Sequence, residues 1–156
     1  MLNLDKPENL YQLCEMVCEQ IATTPKNYVQ QRYATVASSW NEESCGTAFC
    51  RAGWMVNILD HSAGITRTTD EWVYNTLISL RSEQLFMDAG FDSADMKDVT
   101  LLFNGGACSM HNIGSPEYVR EGIDGLRRFM AKHEDKLKAA RIVGTKVVKE
   151  GPTHGQ

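Results

Sequence analysis

A chain of 156 residues, with 42% hydrophobic and 23% charged residues, has the composition of an ordinary globular domain and is long enough to bury a core without disulfides or metal. Its net charge of −4 disfavours a nonspecific hold on nucleic acid phosphates, with Arg120, Arg127, Arg128 and Lys132 as the one candidate basic patch. No apolar run approaches the roughly 20 residues of a membrane-crossing helix, and MLNLDKPENL lacks the basic and apolar regions of a signal peptide. The five cysteines (Cys14, Cys18, Cys45, Cys50, Cys108) are odd in number and read as reduced thiols of a cytoplasmic protein.

Taken in chain order, Asp5 is expected to cap a first helix, with Pro7 in its first turn and Glu8 completing a capping box. Leu10, Leu13, Cys14, Val17, Cys18 and Ile21 recur at three- and four-residue steps and form one apolar helical face. Cys14 and Cys18 fall on that stripe and read as core residues rather than as paired ligands, because no neighbouring His or Cys completes a metal set. Thr23-Thr24-Pro25 stops the helix. A second helix is expected from about Thr47 to Leu59, followed by a polar loop from Asp60 to Thr69.

Thr68 with Glu71 forms a capping box for a helix through Trp72, Val73, Leu77 and Leu80, continuing to the helix-ending glycine Gly90. Asp92 or Ser93 caps a helix that contains Met96, Val99, Leu102 and Phe103 and closes at Asn104-Gly105-Gly106. Ser115-Pro116-Glu117 opens the longest helix, expected to run unbroken through Leu137. The expected architecture is mainly α: a single compact helical domain of five to six helices over residues 1–142, and a C-terminal tail over 143–156. Thr145 to Lys149 could instead add a short edge strand.

The stretch from Cys45 to Trp54, CGTAFCRAGW, resembles the C-G-T-x-x-C-x-A-G-W signature of a family of small uncharacterised bacterial and phage proteins. Leu85 to Phe91, Asp95 to Phe103 and the helix after Ser115-Pro116 are similar to that family's later elements, so the likeness covers roughly Trp40 to Phe129. It implies a helical fold and brings no activity. This sequence carries Arg51 where an apolar residue is commoner in the family.

Four chemistries compete for the motif. In the structural reading, Cys45, Gly46 and Thr47 form a helix entrance, with the Thr47 hydroxyl as cap, while Cys50, Gly53 and Trp54 pack against a crossing helix. In the metal reading, Cys45 and Cys50 join Cys108 and His111 as a zinc site. In the catalytic reading, Cys45 or Cys50 is a thiol nucleophile served by His61, His111 or His133; a redox pair is the last reading. Asp92, Asp95 and Asp98 read as an acidic first helical turn.

The function expected is noncatalytic. The chain reads as a small cytosolic protein of phage or prophage type, without cofactor, acting on a protein partner through Trp40, Arg51, Trp72 and Tyr74. The alternatives are the zinc-stabilised module, a thiol enzyme, and a sponge for a nucleotide-like anion at a helix N-terminus near Thr47 or Ser115.

Overall fold

The computed structural model describes residues 6–25, 34–36, 47–64, 71–104 and 115–149, with the backbone alone at 34–36, 47–49, 71–79 and 104. In chain order the described elements are α1 (Leu10–Thr23), β1 (Ala34–Val36), β2 (Thr47–Phe49), α2 (Arg51–Ser62), α3 (Glu71–Asp88), α4 (Ser93–Asn104), α5 (Pro116–Lys132), α6 (Glu134–Ala139), β3 (Ala140–Val143) and β4 (Lys146–Lys149). The fold is mainly helical, as the periodicity predicts, with two small antiparallel hairpins, β1–β2 and β3–β4.

Helix α1 is the central element and packs against α2, α5, α6 and β3. Its predicted stripe is fully buried, from Leu10 and Leu13 through Cys14, Val17 and Cys18 to Ile21. The helix nevertheless starts later than the Asp5 and Glu8 signals suggest. Asn9 is the N-cap, and its Oδ1 accepts the Gln12 N–H at 2.8 Å, while Gln12 Oε1 accepts the Glu8 N–H at 2.6 Å. The reason is tertiary: the Ile142 N–H donates to the Glu8 carbonyl at 2.9 Å, and Asn9 bridges Arg141. Residues 8 and 9 are thereby held against β3 by an isolated antiparallel bridge just ahead of the helix.

Helix α2 is likewise shifted, to Arg51–Ser62 instead of 47–59. Thr47–Phe49 is not a first helical turn but a strand paired with β1, Val36 opposite Thr47 and Ala34 opposite Phe49. The role assigned to Thr47 as cap passes to Cys50, whose Sγ accepts the Gly53 N–H at 3.4 Å. At its other end α2 runs through Asp60, expected in a loop but buried within the helix.

Helix α3 ends where Gly90 predicts. Gly90 takes φ +85°, and the Phe91 N–H returns to the Phe86 carbonyl at 3.1 Å, which closes a left-handed helix stop. Asp92 then caps α4: its Oδ1 accepts the Asp95 N–H at 2.9 Å, and Asp95 Oδ2 accepts the Asp92 N–H at 3.2 Å. Ser115 caps α5 with Pro116 in its first turn, as expected. The long helix does not continue through Leu137. It breaks at His133 (φ −114°, ψ 24°), and α6 follows as a separate short helix.

The core joins the apolar faces of these helices around an aromatic cluster. Phe86 lies 5.3 Å from Phe91, 5.7 Å from Phe103 and 5.6 Å from Phe129, the last two edge-to-face. Residues 143–149, assigned to the tail, instead complete the β3–β4 hairpin, the edge-strand alternative for Thr145 to Lys149. Val147 and Ala140 are buried on the hairpin's inner face, and β4 packs against α3.

Candidate functional site

Of the motif residues, Cys45 and Gly46 lie outside the described residues, as do the other proposed zinc ligands Cys108 and His111. Cys50, Gly53 and Trp54 are buried at the start of α2. Burial pushes the Cys50 thiol up to about 11, against the partial relief of the Gly53 and Ala52 N–H groups and the nearby Arg51 charge. A thiol held that high is a packing group and a weak cap, not an activated nucleophile. Burial also raises Cys14, helped by Cys18 and Glu15, and takes Cys18 to about 11 despite the charges of Arg127 and Arg51. Among the described residues, no group of three or more His, Cys, Asp or Glu side chains could hold a metal ion.

Arg51 requires a correction. Proposed as an exposed contact residue, it is only 6% exposed. Its guanidinium crosses to α5, where Nη1 donates to the Gly122 carbonyl at 3.4 Å and lies against Gly125. A β-carbon on Gly125 would stand 2.5 Å from that nitrogen, so a larger residue there would have to displace the end of the buried arginine. Arg51 therefore joins helices inside the protein and cannot be a surface anchor. Trp40 lies outside the described residues; Trp72 and Tyr74 belong to α3, and their side chains lie outside the described part of it.

The most developed polar cluster surrounds His133, one of the three candidate bases of the catalytic reading. The ring sits between Phe91 and Phe129, with centroids 5.1 and 4.9 Å away. Its Nε2 is 2.8 Å from Asp98 Oδ2, and Nδ1 is 3.7 Å from Asp95 Oδ1. Lys132 pairs with Asp98 at 2.8 Å, and Lys136 pairs with Asp95. The Lys136 hydrogen bond, the Asp92 N–H and the nearby cations hold Asp95 below the usual carboxylate range. Lys132 and then His133 do the same for Asp98.

A hollow of about 590 Å³ adjoins this cluster, lined by Asp95, Lys132, His133 and the first turn of α6. The imidazole itself is only 5% exposed, and both its nitrogens face carboxylates. Chemically the arrangement is a clamp: it fastens α4 to the α5–α6 joint. The legible signal was the pairing of acidic positions 95 and 98, one turn apart, with cationic positions 132 and 136, also one turn apart.

Two further sites lie elsewhere. The Ser115 hydroxyl, suggested near an anion site, accepts the Tyr118 N–H at 3.2 Å and serves as a cap. A groove of about 410 Å³ between the end of α1 and the start of α5 is lined chiefly by Ala22, Pro25, Pro116, Val119 and Ile123. The feature that sequence reading missed altogether is a set of large aliphatic side chains left in solvent. Leu80 is 64% and Met87 is 55% exposed on α3, while Val143 and Val148 are each 50% exposed on the C-terminal hairpin. The sequence carries no separate signal for them: Leu80 falls within the apolar series of its helix, and only the packing leaves it outside.

In comparisons with family models, curated proteins and solved structures, none matches this chain. No described helix is long and apolar enough to cross a membrane.

Proposed function

We propose that this is a noncatalytic cytosolic protein, of the kind phages and prophages encode, that acts by contact with another protein. The observation that carries this reading is the pair Leu80 and Met87, two helical turns apart on α3 and both more than half exposed. Keeping two long aliphatic side chains in water on one helix face costs solvation free energy that a partner would recover, at about 25 cal/mol per Å² covered. Supporting it, the described cysteines are buried with raised thiols, and the most elaborate polar cluster is spent on joining helices. The contact surface thus moves from Arg51 to the outer face of α3 and the neighbouring hairpin.

A photo-crosslinking residue placed at 80 or 87, in cells producing the protein, tests this. Discrete adducts are expected from both positions and not from exposed position 19 on α1; the same pattern from all three positions, or no adduct from any, would refute the reading. Leu80→Ser with Met87→Ser is expected to leave thermal stability within about 0.5 kcal/mol of the parent, as exposed sites do, while diminishing adducts from a neighbouring probe at 84.

A further inference from the structure

Of the exposed aliphatic sites among the described residues, Leu101 stands by itself on α4 at 68% exposure, whereas the paired sites on α3 and on the hairpin carry opposite charge. On α3, the side chains exposed around Leu80 and Met87 are Glu83, Gln84 and Asp88, and Gln84 donates to Asp88 at 2.7 Å. Arg81, the cation of that turn, is turned inward to Asp60. On the hairpin, strand alternation and register place Arg141, Val143, Lys146 and Val148 on one outer face. Val148 stands opposite Arg141, and Val143 opposite Lys146, so each exposed valine faces a cation across the ladder.

We propose that the occupant of these faces is a second copy of this chain, with the acidic-apolar face of α3 seated on the basic-apolar face of the partner copy's hairpin, and the reverse contact made at the same time. This rests on the contact reading above and names its partner. Two aliphatic groups separated by two helical turns, about 10 Å, meet two valines placed diagonally across a ladder, about 7–8 Å apart. Two carboxylates (Glu83, Asp88) meet two cations (Arg141, Lys146), which fixes the orientation and repels the alternatives of α3 on α3 or hairpin on hairpin. Because β4 packs against α3 within one chain, the two faces lie on adjoining elements. A single two-fold axis can therefore satisfy both contacts and close the assembly. The surface is small, so the association is weak and sensitive to salt.

Sedimentation velocity of the full chain, from about 10 to about 500 µM and at low and high salt, reads the outcome. The wild type is expected to shift from monomer toward dimer as concentration rises, less so in high salt. Glu83→Lys with Asp88→Lys, and separately Arg141→Glu with Lys146→Glu, are each expected to be monomeric with unchanged circular dichroism. Mixing the two reversed variants is expected to restore a one-to-one dimer. A wild type that stays monomeric over this range, reversed variants that assemble like the parent, or a mixture that stays monomeric overturns the proposal. If a reversed variant fails to fold, Leu80→Ser with Val148→Ser decides, because association at the wild-type level in that variant also overturns it. Monomeric wild type that still gives adducts from positions 80 and 87 with a different protein removes self-association and leaves the contact reading standing.

Discussion

The Nη1 atom of Arg51 lies 2.5 Å from where a β-carbon on Gly125 would stand. A larger residue at this position of α5 would thus have to displace the guanidinium of a buried arginine more than seventy positions earlier in the chain. Gly125→Ala should therefore destabilise the protein despite the better helix propensity of alanine, by about 1–3 kcal/mol of overpacking. Urea unfolding measures it. A gain in stability would mean that the guanidinium moves aside freely.

Removing the cation from another interior pair should cost more. Arg81 reaches Asp60 at 2.5 Å, and the Asp60 side chain is 1% exposed. Arg81→Met keeps the aliphatic stem but takes away a charge partner of a carboxylate shielded from water. A loss of about 3 kcal/mol is expected by denaturant titration. A loss below about 0.5 kcal/mol, the range of a solvated pair, would show that Asp60 is otherwise compensated.

The clamp around His133 gives the protein a sensitivity to acid. Asp95 and Asp98 are held below their ordinary range in the folded chain, so the stabilisation they supply is present above the unfolded carboxylate value. It is lost as pH falls below about 4 and through the lowered folded values. Asp95→Asn with Asp98→Asn should lower stability at pH 7 and flatten the decline between pH 4 and pH 2, as read by urea midpoints across pH. A decline as steep as the wild type's would place the acid sensitivity elsewhere. Lys136, raised by its bond to Asp95, contributes in the opposite direction: its share persists below the ordinary lysine value and disappears only as pH rises past it.

Cysteine chemistry provides a fourth check. In a variant carrying Cys45→Ser and Cys108→Ser, the remaining thiols are Cys14, Cys18 and Cys50, all buried. With Cys18 and Cys50 near 11, alkylation of folded protein at pH 7.5 should run at least about 100-fold slower than that of a free thiol, then become rapid in denaturant. Fast labelling of any one of them in the folded state would reopen the thiol-enzyme reading.

Local signals in the sequence located most of the helices because their determinants are local. Ser115-Pro116 starts α5, Gly90 ends α3, and the Leu10 to Ile21 stripe is the buried face of α1. Errors arose where a distant segment overrides the local signal. Residues 8 and 9 are claimed by β3, and Thr47–Phe49 by β1, so both helices begin later than their caps suggest. The break at His133 has no helix breaker in the sequence; it coincides with two carboxylates of α4 and two phenylalanine rings converging on that side chain. The proposed contact surface was illegible for a different reason. Conspicuous aromatic and arginine residues drew attention to Arg51, which the fold hides, whereas Leu80 and Met87 look like core residues until the packing leaves them outside.

The hydrogen bond from Ile142 to the carbonyl of Glu8 also bears on how the molecule is made. The strand that holds residues 8 and 9 follows them by more than 130 positions, so the lead into α1 stays untied until β3 has been made. A chain stalled shortly before residue 140 would lack this tie, and proteases should cut it more readily ahead of Leu10 than they cut the full chain.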